Sequence, residues 1–165
     1  MIIAIGGVST AGKTTLASQL RHYFHKKKTS LLCQDDFVKS VEQIPMIKDR
    51  IDWEIPASID HIRFRDAILA EKKENDIVIV EGLMVFWHPE INRLFDKKLF
   101  IEIDYQLFMK RKNDDYRWGN EPDWYIAYIW NSYKQYGIPS DKVNILIING
   151  NKTIQLNPII KYLQQ

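Results

Sequence analysis

Residues 7–14 are G-V-S-T-A-G-K-T, directly after the apolar run MIIAI at residues 1–5. This is the pattern G-x-x-x-x-G-K-S/T, and it constrains the fold more than any other stretch. It demands a strand, a tight glycine turn and a helix N-terminus, in that order. The residue types follow from the ligand such a turn can hold. Gly7 and Gly12 let the backbone curl until successive N–H groups face one polyphosphate. The next helix turns the positive end of its dipole to the same point. Lys13 can reach the outer phosphates, and the Thr14 hydroxyl suits Mg²⁺. A glycine turn without ligand is the alternative, and it leaves the lysine and the hydroxyl unexplained.

The remainder alternates between β-rich runs and helical patterns. Strands are predicted at 2–5, 30–34, 77–80, 99–103 and 144–148, each apolar on consecutive residues, as in strands covered on both faces. Helices are predicted at 13–27, 58–73, 105–112 and 122–136, with a short one after Pro158. The alternation implies an α/β fold: a five-stranded parallel sheet flanked by helices, joined by right-handed crossovers. At 165 residues and 45% apolar content, with no linker or repeat, the chain is expected to form one domain over residues 1–165.

Ligands of such sheets bind beyond the carboxyl ends of the strands. There the second strand delivers Gln34-Asp35-Asp36-Phe37 and the third delivers Glu81-Gly82. Carboxylates at that edge hold Mg²⁺ through water or accept a proton from an attacking hydroxyl; otherwise they start loops or cap helices. Asp36 and Glu81 are assigned to function, and for Asp35 the two readings stand even. Adjacent residues of an extended chain face opposite sides, so Asp35 and Asp36 are not expected to share a role.

A net charge of +2 gives no reason to expect nucleic acid as a partner, and Lys26-Lys27-Lys28 is expected to end a helix in water. The one cysteine, Cys33, has no partner for an internal disulfide, which fits a reducing compartment. With neither a leader-like segment nor an apolar run of spanning length, the protein is expected to be cytoplasmic and to have no membrane partner. Four histidines, His22, His25, His61 and His88, lack metal-ligand spacing.

GVSTAGKTT, then QDDF, then DWEIPASID, then IVIVEGLMVF resembles, in this order, the uridine kinase-like nucleoside kinases, and within them most the nicotinamide riboside kinases. The segment from Trp118 to Tyr133 resembles the family's W-x-D-P-P stretch and aromatic helix. Ile147-Ile-Asn-Gly150 resembles the final strand and turn beside adenine. The resemblance implies a P-loop NTPase fold with a small lid at about 111–122, and ATP and Mg²⁺ as cofactors. It also implies phosphorylation of a ribose 5′-hydroxyl, with nicotinamide riboside first and uridine or cytidine, or another small metabolite, as the alternative. Gly7, Ser9, Ala11, Gly12, Lys13, Thr14, Thr15 and Arg117 would bind ATP, and Thr14 and Glu81 the metal. Asp36 would be the base, with Lys13 and Arg111 stabilising the transferring phosphoryl group. Trp53 would stack on the base, with Tyr116 or Trp118 as a second wall. The ribose grip falls to Glu54, where the family has aspartate, or to Asp52. Lys110 and Lys112 are expected to be solvated. The partners would be ATP and a small nucleoside, in a monomer or homodimer.

Two other classes are weighed. A GTP-dependent switch wants N-K-x-D near a late strand, and Asn151-Lys152-Thr153-Ile154 lacks the aspartate. A nucleotide binder without turnover would account for a lid poor in arginines.

Overall fold

The computed structural model describes residues 1–117, 119, 121–141 and 143–165. The chain runs β1 (Ile2–Gly7), α1 (Lys13–Tyr23), β2 (Thr29–Cys33), a hairpin of β3 (Met46–Ile47) and β4 (Arg50–Ile51), and α2 (His61–Glu74). It continues through β5 (Ile77–Gly82), α3 (Pro89–Asn92), β6 (Lys97–Glu102), α4 (Tyr105–Asn113), α5 (Asp123–Ser132), β7 (Ile145–Asn149) and α6 (Leu156–Leu163). Every residue of β1 and β5 is buried, which is why β1, and β5 as far as Glu81, are apolar without alternation.

Five strands form one parallel sheet in the order β2-β5-β1-β6-β7. Cys33 is in register with Glu81, Ile5 with Glu81, Gly7 with Ile101, and Glu102 with Asn149. One edge of the sheet therefore carries the glycine loop after β1, the QDDF turn after β2, Glu81 and the Asn149-Gly150 turn. Leu16 and Leu20 of α1, Phe64 and Ile68 of α2, Phe108 of α4 and Ile129 of α5 are all buried against this sheet. Each such side chain contributes about 1.5–3 kcal/mol of transfer free energy, so the edge rests on a rigid base. Among the described residues, no helix is long and apolar enough to cross a membrane.

The element boundaries correct several sequence expectations. Helix α1 stops at Tyr23, and Lys26-Lys27-Lys28 follow in an exposed turn. Helix α2 starts at His61 because Asp60 caps it, its Oδ1 accepting from the Arg63 N–H at 3.0 Å. Helix α6 begins at Leu156, so Pro158 sits in its first turn, where no N–H is needed. The expected helix 122–136 is α5 followed by a π-turn, Tyr133–Gly137, whose Gly137 lies against the Leu83 carbonyl where a Cβ would come within 2.9 Å. The π-turn glycine thus allows α5 to pack closely on the chain leaving β5. The hairpin is too short to show an alternating pattern, and was not foreseen.

Candidate functional site

The glycine loop owes its shape to positive φ at Gly7, Thr10 and Gly12. Gly7 has φ +148°, and a Cβ there would lie 2.7 Å from the Ile101 carbonyl of β6. Gly12 has φ +103° and stands at the N-cap of α1 without any side-chain cap. The first N–H groups of α1 are thus left for an anion. Lys13 donates from Nζ to the Val8 carbonyl at 3.0 Å, folding back over the loop. Ser9 and Lys13 line a cavity of about 710 Å³, Ala11 is buried beneath the loop, and Thr14 and Thr15 are exposed on the first turn of α1.

Thr14 donates from Oγ1 to Glu81 Oε1 at 2.7 Å, although 67 residues separate them. Glu81 is buried at the end of β5. The two residues named from the sequence as metal-binding are therefore in contact, beside Lys13 in the chain.

The QDDF segment differs from expectation. Gln34–Phe37 is a 3₁₀ turn, not extended chain, so successive side chains rotate about a third of a turn instead of alternating. Gln34 is buried over Gly82, and its Oε1 accepts from the Met84 N–H at 3.0 Å. This pins the turn to the exit of β5. The sequence reading gave Gln34 no role. Both aspartates are exposed, and of the two only Asp35 lines the cavity with Lys13. The Asp36 carbonyl instead accepts from the Arg63 guanidinium at 2.7 Å. The cavity lined by Lys13 thus includes the Asp35 side chain and not that of Asp36. Asp35 is exposed on the cavity side and crowded by protein atoms, and this partial desolvation raises its carboxyl above the ordinary value, against the opposing pull of Lys13.

The far end of the cavity is built by the β3–β4 hairpin, residues 53–54 and the start of α5. Trp53, Glu54 and Tyr125 line it. Burial, with the Asp35 charge second, pushes the Glu54 carboxyl up to about 7. Asp52 is not part of the lining. It is buried, with Oδ2 accepting from the Tyr128 hydroxyl at 2.7 Å and Oδ1 from the Glu54 N–H at 3.3 Å. Both its oxygens are occupied, which leaves Glu54 as the carboxylate facing the cavity. Tyr116 is 73% exposed and outside the lining, and Trp118 lies outside the described residues. The second ring is Tyr125 of α5, to which the sequence reading gave no role.

The lid region also departs from expectation. Lys112 is buried, lines the cavity and pairs with Glu121 at 2.5 Å, so it is not a solvated helix-end charge. Arg111 donates to the Thr10 carbonyl at 3.0 Å and the Gly150 carbonyl at 3.3 Å, tying α4 to the glycine loop and to the turn after β7. Arg117 is held by Asp115 through two contacts of 2.7 Å and is not among the side chains lining the cavity, yet its charge still acts on Asp35. That bidentate hydrogen bonding holds the Asp115 carboxyl down at about 2.

No protein-family model matches the sequence. A uridine kinase of Mycoplasma genitalium is 29% identical over 150 residues, covering 74% of this chain and 70% of the relative. Human nicotinamide riboside kinase 2 is 22% identical over 175 residues, covering 93% of this chain and 75% of the relative. Among solved structures, deoxyadenosine kinase from M. mycoides superposes with a TM-score of 0.61 at 15% identity over 99% of each chain, a likeness of fold. In sequence the chain is similar to uridine kinases and nicotinamide riboside kinases at 20–29% identity, a likeness that supports an ATP-dependent kinase.

Proposed function

We propose that the chain moves the γ-phosphoryl group of ATP to the 5′-hydroxyl of a ribonucleoside, and that the nucleoside is nicotinamide riboside. One observation carries this reading: Lys13, Asp35, Glu54, Trp53 and Tyr125 line a single cavity. A phosphate-binding loop, a proton acceptor, a ribose-binding carboxylate and two aromatic faces are thereby arranged along one path. The 5′-oxygen attacks the γ-phosphorus, the bond from that phosphorus to the β–γ bridging oxygen breaks, and ADP leaves. The hydroxyl proton passes to the Asp35 carboxylate, whose raised pKa makes it a better base than an ordinary aspartate. Glu54, when ionised, accepts from the two ribose hydroxyls. Lys13 and the uncapped start of α1 neutralise phosphate charge. Gly7, Ser9, Ala11, Gly12 and Thr15 shape the loop around the phosphates. Arg111 braces that loop, and segment 111–122 serves as the lid.

Mg²⁺ fits the donor set, since Thr14 and Glu81 bring hydroxyl and carboxylate oxygens together beside the phosphate loop. Bound there with ATP, it would supply charge neutralisation on the phosphates.

The choice of nicotinamide rests on charge. The cavity is lined by four carboxylates, Asp35, Asp49, Glu54 and Glu121, and three cations, Lys13, Arg50 and Lys112. Phosphate would engage Lys13, leaving an acidic pocket with two aromatic rings for a cationic base. Uridine or cytidine is the second reading, favoured by Arg50, whose guanidinium lies over the Tyr125 ring and can donate to base carbonyls. The test is ADP release from ATP in the presence of single nucleosides. Nicotinamide riboside is expected to stimulate it most. Stimulation by uridine alone moves the assignment to the second reading, and slow release indifferent to nucleoside removes the kinase assignment.

A further inference from the structure

Residues 48, 50 and 52 of the hairpin meet α5 at three successive points. The Lys48 ammonium lies 3.9 Å from the Trp124 ring centroid, and the Arg50 guanidinium 5.4 Å from that of Tyr125. Asp52 accepts from the Tyr128 hydroxyl at 2.7 Å. Lys48 stands in the hairpin turn with φ +52°, Arg50 lies in β4 and Asp52 just beyond it, and residues 124, 125 and 128 fall within little more than one helical turn. Asp52 is the best defined of the three contacts. It is buried, its own N–H donates to the Pro45 carbonyl at 2.8 Å, and its Oδ1 accepts from the Glu54 N–H. At the other end of this loop the buried Ser58 hydroxyl lies 2.9 and 2.7 Å from the Trp53 and Ile55 carbonyls and shares its one proton between them. Trp53 and Glu54 are thus fixed from both sides, and the fixing point on the α5 side is the Tyr128 hydroxyl. Burial, with the Asp52 hydrogen bond second, pushes that phenol up to about 12, so it remains a donor at neutral pH.

We infer that Asp52 and Tyr128 are a positioning pair, which holds Glu54 and Trp53 in register with the bound nucleoside by tying their loop to α5. Neither touches the substrate. The inference rests on the ribose-binding role proposed for Glu54. It accounts for a buried acid next to a binding carboxylate without giving both the same task. It also makes the nucleoside end of the cavity depend on α5, the helix that follows the Lys112–Glu121 ion pair.

The experiment measures KM for nicotinamide riboside, KM for ATP and kcat in the parent, Tyr128→Phe, Glu54→Gln and the double variant, with melting curves for each. Losing one charge-assisted hydrogen bond behind the loop should raise the nucleoside KM about tenfold. The ATP KM and kcat should stay within about twofold. In the Glu54→Gln background, Tyr128→Phe should add little, because the residue it positions is already disabled. If Tyr128→Phe does not fold, Asp52→Asn and Asp52→Ala serve. The asparagine keeps a carbonyl acceptor and should lose much less nucleoside affinity than the alanine.

Equal losses of ATP and nucleoside affinity, a full tenfold effect added on top of Glu54→Gln, or indistinguishable Asp52→Asn and Asp52→Ala would overturn the pairing. A raised KM in Glu54→Gln with none in Tyr128→Phe overturns the pairing alone. An unchanged KM in Glu54→Gln overturns the ribose role of Glu54 and the pairing with it.

Discussion

Replacing Glu54 by glutamine should make the empty protein more stable, and only above a defined pH. The Glu54 carboxyl is pushed from an ordinary 4.5 to about 7, chiefly by burial and next by the charge of Asp35. Below the ordinary value the group is protonated in both the folded and the unfolded chain, and the site costs nothing. Between 4.5 and about 7 the unfolded chain ionises while the folded one keeps its proton, so stability falls as pH rises. Above about 7 both are ionised, and the folded state bears the whole cost, about 3 kcal/mol. Glutamine keeps the shape and removes the titration. At pH ~8 the variant should therefore melt about 6–12 °C higher than the parent, from about 2–4 °C per kcal/mol in a chain this long, and at pH ~4 the difference should nearly vanish. Thermal melts of both proteins at the two pH values, without nucleotide, read this directly. A difference independent of pH, or a glutamine variant less stable at pH ~8, would show that Glu54 does not carry the buried charge assigned to it. The same group sets a kinetic expectation. Binding of the ribose hydroxyls needs the ionised form, so the parental kcat/KM for the nucleoside should fall as pH drops below about 7.

Asp35→Asn removes the proton acceptor in the cavity and should lower single-turnover transfer about 10²-fold or more, whereas Asp36→Asn should be mild; the reverse ranking would return the base to Asp36. Arg111→Lys cannot span the Thr10 and Gly150 carbonyls at once and should weaken ATP binding nearly as much as Arg111→Ala, which equilibrium titration with a non-hydrolysable ATP analogue would reveal; a lysine variant binding like the parent would show that one point contact is enough. Trp53→Ala should weaken a cationic nucleoside more than uridine, by about 1–2 kcal/mol in relative kcat/KM, and equal losses would deny the ring a cation-specific role.

The central sheet and the phosphate loop were legible because their signals are local. Consecutive β-branched residues, two glycines at fixed spacing, a lysine and a hydroxyl each have one physical explanation at those positions. The site beyond the loop was only half legible. Asp35 and Asp36 are chemically identical in sequence, and choosing between them needed the turn geometry. An extended chain and a 3₁₀ turn point the same two side chains to different places. Contacts distant in sequence hold the turn geometry: the buried Gln34 accepts from Met84, 50 residues away, and the Asp36 carbonyl accepts from Arg63. Lys112 looked like one of several helix-end cations, and its burial depends on Glu121, which sequence spacing does not pair with it. Tyr125 lies among the apolar positions of α5, and nothing local distinguishes a ring facing the cavity from one facing the core. Asp52 and Glu54 are two residues apart in one acidic loop, and only the hydroxyl of Tyr128, 76 residues on, separates a structural acid from a free one.

Transfer itself is best tested on the product. The parent protein is mixed with ATP, Mg²⁺ and nicotinamide riboside, and phosphorus NMR follows where the γ-phosphate goes. Nicotinamide riboside 5′-monophosphate should form one-for-one with ADP, at a rate that Asp35→Asn lowers about 10²-fold. ADP with free inorganic phosphate and no nucleoside monophosphate, or full product formation by the Asp35→Asn variant, would contradict the assignment of this cavity to nucleoside phosphorylation with Asp35 as its base.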